Sequence, residues 1–229
     1  MKLKIKIILV LIPCVFLFKN AMASKLSELE QFHRTLLLRQ HAQERIVIEK
    51  ASPSIVKITS YNEEDKAVSY GSGFIVSANG VIVSNYHVIQ GAKRVGVLTD
   101  SGTSFDVEGV ILFDPQNDLV VLKIDANDLE YIDIGDAKEL ETNEKVVAMG
   151  FAWAGKLTPS IGHLQRKRRE GDRKWLQHTA SIVPGSSGGP LLNMEGEVVG
   201  INTAYQTDNS LQNFAIPIEY LKAWFQSKD

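Results

Sequence analysis

Residues 184–190 read Pro-Gly-Ser-Ser-Gly-Gly-Pro, two hydroxyls framed by three glycines and two prolines. That composition suits neither a helix interior nor a regular strand. It suits a tight turn that holds a serine hydroxyl in the open. Glycine also lets the backbone approach a ligand closely, with N–H groups aimed at developing negative charge. A serine nucleophile beside an oxyanion hole needs both properties. Taken alone, the same run is a Gly/Ser turn between two strands. Ser186 and Ser187 are both candidate nucleophiles at this point.

Chain order narrows the chemistry. Gly185-Ser186-Ser187-Gly188-Gly189 also fits the G-x-S-x-G elbow of α/β-hydrolases, which needs a histidine after the serine. None of His33, His41, His87, His163 and His178 follows Ser187. The subtilisin order needs an aspartate before the histidine, and Asp65 is the only one before His87. The order His, Asp, Ser stays open. His87 follows two apolar runs, Gly73–Val76 and Val81–Ser84, joined by Asn79-Gly80, a strong hairpin signal. It therefore lies just past a strand end, as a functional side chain or as a surface histidine beside a hairpin. Asp118 stands at the mouth of the buried run Leu119–Leu122, where a carboxylate needs a partner such as an imidazole N–H. The alternative for Asp118 is a cap on the Asp114-Pro115 turn, a job that Asp114 suits better.

These pieces resemble the HtrA (Deg) family of trypsin-like serine proteases. The resemblance rests on Gly71-Ser72-Gly73-Phe74-Ile75-Val76, Ser84–Ile89 around His87, Asn117–Ile124 around Asp118, Gly185–Leu191, Gly200-Ile201-Asn202-Thr203-Ala204 and Phe214-Ala215-Ile216-Pro217. It covers roughly residues 45–220. By position it implies a serine endopeptidase in which His87 is the general base, Asp118 orients it and Ser187 is the nucleophile. The N–H groups of Gly185 and Ser187 would form the oxyanion hole. The implied substrates are unfolded or damaged polypeptides, with no cofactor.

Several residues depart from trypsin or from the family. The pocket-base position, six before the nucleophile, is uncharged Ser181, so a Lys/Arg preference is not expected. Thr203, Ala204 and Tyr205 would line the pocket wall, and Asn213 stands where the family usually has glycine. A small, apolar P1 residue is the expectation. Val183-Pro184 replaces a more usual polar pair and stiffens the loop carrying Gly185. That leaves open which state of the loop it favours.

The elements around this chemistry read as an all-β, trypsin-like fold of two antiparallel barrels, about 52–125 and 142–217, within a protease domain of 52–217. Residues 24–51 form an amphipathic helical segment, with Leu26, Leu29, Phe32, Leu36 and Leu37 at helical spacing. The resemblance implies that such a segment forms a homotrimer contact; packing on the barrel is the other reading. A short helix spans 218–229. The chain stops at Asp229, so a PDZ-mediated partner in cis is not expected.

Lys2, Lys4 and Lys6, the apolar run Ile7–Phe18 and Ala21-Met22-Ala23 make a signal-peptide pattern over residues 1–23. Export to the periplasm or exterior is expected, with an uncleaved anchor as the alternative. Cleavage after Ala23 would remove the only cysteine and four lysines, taking the formal charge from −2 to −6. That balance argues against a nucleic-acid partner. No cluster has metal-ligand spacing. Arg166–Arg169 and Arg173-Lys174 flank Glu170-Gly171-Asp172. They read as a solvated tip between hairpin arms Ser160–Gln165 and Trp175–Thr179, or as a docking site for an acidic substrate, partner or membrane. Two other functions remain: a non-catalytic, chaperone-like peptide binder on the same fold, and a processing protease with few targets.

Overall fold

The computed structural model describes residues 2–152, 155–207 and 210–226; the side chains of 2–21, 23–24, 204–212 and 223–226 lie outside the description. The expected signal segment is therefore described, Met22 apart, only as backbone, and the Ala204 and Tyr205 side chains are not described. The chain divides into two compact units, Met1–Gln43 and Glu44–Asp229.

The first unit is helical, part of α1 (Lys2–Ala51). Its Leu26, Leu29, Phe32, Leu36, Leu37 and Leu38 are all exposed. No described helix is long and apolar enough to cross a membrane.

The second unit opens with the last turns of α1. Val47 and Ala51 are buried in its core, and Glu44 pairs with Lys145. Pro53 disfavours further α-helix at Ser52, and a 3-10 turn, Ser52–Ser54, leads into the first strand. Six antiparallel strands then close a barrel: β1 (Ile55–Tyr61), β2 (Ala67–Ser77), β3 (Val81–Ser84), β4 (Arg94–Thr99), β5 (Ser104–Asp114) and β6 (Leu119–Ile124). Their order is β1-β2-β3-β6-β5-β4. A second barrel has the order β10-β11-β12-β9-β8-β7. Its strands are β7 (Lys145–Ala148), β8 (Ser160–Glu170), β9 (Arg173–His178), β10 (Pro190–Leu192), β11 (Val198–Thr207) and β12 (Ser210–Pro217). One turn of helix, α2 (Tyr86–Ile89), interrupts the first barrel, and α3 (Glu219–Gln226) follows the second.

Two antiparallel barrels are thus found as expected. The reason the key strands read as unbroken apolar runs is burial on both faces. Along β6, Val120, Leu122 and Ile124 fill the first barrel, while Leu119 and Val121 point into the core shared with the second. Along β7, Val146 and Ala148 fill the second barrel, and Val147 faces the shared core. This shared core fixes the barrels against each other, and the loops at its edge carry the candidate site.

The basic hairpin differs from expectation. β8 and β9 pair out to Glu170 opposite Arg173, so only Gly171-Asp172 forms the turn, with Gly171 at φ 59°. A glycine at positive φ in the first central position is a tight hairpin turn that matches strand twist. The cations therefore lie on strands rather than at a loose tip. Both arms are largely exposed there, so no apolar alternation marks them as strand.

Candidate active site

Asp118 precedes β6 in the left-handed region, at φ 56°. Asp114 takes the local turn, accepting from Asn117 N–H (3.0 Å) and Nδ2 (2.6 Å), which leaves Asp118 free for another job. Asp118 turns both carboxylate oxygens on His87. Oδ1 accepts from the His87 backbone N–H at 2.9 Å, and Oδ2 lies 2.8 Å from Nδ1. The Asp118 carbonyl accepts from Tyr86 N–H (3.2 Å) and Asn85 Nδ2 (3.0 Å). At the other end of α2, the Val88 carbonyl accepts from Ser60 Oγ at 2.7 Å. Both ends of this single turn are tied down, so His87 has little freedom to swing. Its side chain stays 46% exposed, which leaves the other ring nitrogen open to the cleft.

The Ser186–Ser187 loop comes from the second barrel. Ser186 is buried: a β-carbon on Gly150 would lie 3.0 Å from its Cβ. Ser187 is half-buried and reaches the surface. Its carbonyl accepts from Ser72 N–H in β2 at 2.8 Å. A β-carbon on Gly71 would lie 2.5 Å from Val88 Cγ2 and 3.1 Å from the Ser187 carbonyl. The neighbour of His87 and Ser187 itself therefore meet over Gly71. Among the described residues no hydrogen bond within 3.5 Å joins Ser187 Oγ to the His87 ring. In unliganded enzymes this contact is often loose and tightens with substrate.

The loop before Ser187 has a definite conformation. Ser186 N–H bonds to the Val183 carbonyl at 2.9 Å, and Gly185 sits at φ 98°. Proline at the first central position and positive φ at the second define a type II turn. Type I and type II differ by a flip of the central peptide, here Pro184–Gly185, so the turn type decides where the Gly185 N–H points. The flanking N–H groups are engaged: Ser186 with Val183, Gly188 with Asn202, Gly189 with Ser186. Among the described residues the N–H groups of Gly185 and Ser187 meet no acceptor. They are the two donors named for the oxyanion hole.

Ser72 is the residue whose importance the sequence did not reveal. Its Oγ donates to the Gly185 carbonyl (2.7 Å) and accepts from Phe151 N–H (2.8 Å). Its own carbonyl accepts from Ser84 Oγ at 2.6 Å. One buried hydroxyl thus ties the Pro184–Gly185 turn to both barrels. Gly71-Ser72-Gly73 was visible as a motif, but nothing in a single sequence says what a hydroxyl between two glycines will meet.

Of the expected pocket residues, Ser181 is exposed and its N–H bonds to Ser160 Oγ (2.8 Å); Thr203 is buried on β11 and lines a cleft with His87. Asn213 reaches across to accept from Ile182 N–H at 3.4 Å, so its side chain braces the segment carrying Ser181. His178 lies opposite Asn213 in the barrel wall, 2% exposed, with neither ring nitrogen hydrogen-bonded among the described residues. Burial pulls its pKa down to about 4. His33 and His41 are exposed on α1.

The profile of the trypsin-like peptidase domain family matches residues 71–201. A "Probable periplasmic serine endoprotease DegP-like" of Hahella chejuensis is 40% identical over 161 residues, covering 67% of this chain and 34% of that protein. The "Anti-sigma-I factor RsgI9" of Acetivibrio thermocellus is 34% identical over 178 residues, 77% of this chain and 25% of that one. The chain spans only a quarter to two-fifths of the length of such relatives. Among solved structures, "HtrA-type protease AlgW with tripeptide" superposes with a TM-score of 0.73 at 28% identity, covering 80% of this chain and 62% of that one. With a matching profile over more than half its length and both barrels closed in the same order, the chain belongs to the trypsin-like peptidase domain family and is an HtrA/DegP-like member of it.

Proposed function

We propose that this protein is an exported serine endopeptidase that hydrolyses peptide bonds in unfolded or damaged proteins. Ser187 Oγ attacks the scissile carbonyl as His87 takes its proton. The same imidazolium then protonates the leaving amine. Asp118 keeps Nδ1 protonated and steadies the positive ring. The tetrahedral oxyanion takes hydrogen bonds from Gly185 and Ser187 N–H. Water repeats the sequence on the acyl-enzyme. The observation that carries this reading is the pair of N–H groups left without acceptors beside the anchored His87–Asp118 dyad. A chaperone-like binder needs no such pair.

The pocket over Ser181, Thr203, Ala204, Tyr205 and Asn213 takes a small, apolar P1 residue, because no charged group stands at Ser181. Residues 1–23 direct export. The exposed apolar row from Leu26 to Leu37 is the contact of a homotrimer, burying side chains that water otherwise covers at a cost. Digestion of one protein in native and reduced, unfolded forms, with cleavage sites read by mass spectrometry, tests the substrate class. The expected outcome is cleavage of the unfolded form alone, after Ala, Val or similar residues. Equal cleavage of both forms, or cuts after Lys and Arg, would overturn it.

A further inference from the structure

The cleft beside His87 is not walled by the first barrel alone. It has a volume of about 440 Å³, and Arg173 and Trp175 of β9 face Tyr86, His87 and Pro115 across it. Trp175 also borders a second groove, of about 350 Å³, on the far side of the hairpin. Lys138, Lys167, Arg168, Arg169 and Lys174 rim that groove over an apolar floor of Leu176 and Pro217. Trp175 is thus the shared wall between the two. A basic path leads from the proposed catalytic histidine, past Arg173, into a groove with five more cations.

Three observations make the path a built surface. The hairpin tip is held by α3: Tyr220 Oη accepts from Lys174 N–H at 2.9 Å and donates to the Asp172 carbonyl at 3.3 Å. The Trp175 ring packs edge-on against Phe214, centroids 6.0 Å apart, and Arg168 lies over the same Phe214 ring at 5.7 Å. Arg173 makes no ion pair among the described residues, although Glu170 stands opposite it in register. Two other acids nearby are engaged elsewhere. Asp172 lies 3.7 Å from Arg169, Asp118 holds His87, and the one acid on the groove wall, Glu219, is half-buried, which raises its carboxyl pKa.

We infer that this path is a substrate subsite for acidic side chains: residues a few positions from the scissile bond, on one side of it, are read by Arg173 and by the cations beyond Trp175. The chain as a whole is mildly acidic, so this is a local contrast that sets the orientation of a bound segment. Aspartate or glutamate would meet the guanidinium while the flanking apolar residues lie on Trp175 and Leu176. The inference rests on the peptidase reading above.

The test uses the full chain and matched peptides that share one cleavage site, with three Glu, three Gln or three Lys in the two to five residues on either side. At low salt the Glu peptide is expected to be cleaved about tenfold faster in kcat/KM than the Gln peptide, and only when the acids are on one side, as a few partly exposed ion pairs would give. The advantage shrinks severalfold at 0.5 M salt because the charges are screened. Arg173→Gln lowers the Glu:Gln ratio severalfold, and Arg173→Glu turns it in favour of the Lys peptide. Lys66→Glu, an equal charge change on an exposed loop, leaves the ratio where it was. An enzyme that labels with a fluorophosphonate yet cleaves Glu and Gln peptides equally overturns the subsite and leaves the peptidase reading standing. A folded protein that neither labels nor cleaves overturns both.

Discussion

The type II turn that would aim the Gly185 N–H at the proposed oxyanion needs Gly185 at φ 98°, where a β-carbon costs roughly 1–2 kcal/mol. Gly185→Ala is therefore expected to tilt the turn toward the flipped peptide, with kcat falling on the order of 10²–10³, the usual cost of one lost oxyanion donor. Stability should fall much less than activity, and a urea melt run beside the kinetics would show it. Asp118→Asn leaves the hydrogen bonds to α2 nearly isosteric but favours the wrong imidazole tautomer. A drop in kcat of about 10⁴ with an unchanged melt is the expected result. Gly188 is a different case, since a β-carbon there would stand 2.2 Å from the Ser72 carbonyl and 2.3 Å from Ser84 Oγ. That glycine is needed by the fold, not by the chemistry, and Gly188→Ala should reduce soluble protein before any rate can be measured. Chain order excludes other serine enzymes and leaves His87 and Asp118 as candidates, while the preference for Ser187 over Ser186 comes from the family resemblance. Their roles were legible only through the family resemblance. The Ser72 hydroxyl was not legible, because its partners lie 79 and 113 residues away.

At the scale of elements, the site depends on short segments pinned at both ends. α2 is a single turn and would not persist alone, because helix nucleation is costly. It persists because Asp118 and Ser60 bond its two ends and Val88 fits the space over Gly71. The Pro184–Gly185 turn follows similar logic: proline presets the first central residue, glycine the second, and Ser72 fixes the carbonyl. The sequence showed the stiffening but not the state, because turn type depends on what the flipped peptide would meet. The β8–β9 hairpin is a strand pair whose long exposed reach had no sequence signature. Its tip is held by Tyr220, so Tyr220→Phe should cost about 1 kcal/mol and speed amide exchange at Lys174. Hydrogen exchange followed by mass spectrometry checks this, and protection unchanged at residues 172–174 would count against the tether.

Across residues 44–229, two barrels share one core, and the proposed catalytic groups sit on loops at its edge. That architecture was readable because both-face burial writes unbroken apolar runs such as Leu119–Leu122. It carries one vulnerability in the second barrel wall. His178 is neutral when folded, with a pKa lowered from 6.5 to about 4 by burial. Between those values the unfolded chain binds the extra proton and the folded chain does not. Stability from this group is therefore fully present above pH 6.5 and lost as pH falls toward 4, by at most about 3 kcal/mol. Urea midpoints measured at pH 7 and pH 4.5 should separate in the wild type and draw together in His178→Leu. Equal separation in both would assign the acid sensitivity elsewhere.

The central claim is that Ser187 is a nucleophile activated in this fold, and covalent labelling reads it directly. Wild-type protein and Ser187→Ala and Ser186→Ala variants, each shown to be folded by circular dichroism, are treated with a fluorophosphonate, and the adduct is located by peptide mass spectrometry. One adduct is expected on Ser187 in wild type and in Ser186→Ala, and none in Ser187→Ala. A folded wild type that stays unlabelled, or an adduct that survives Ser187→Ala, would contradict it.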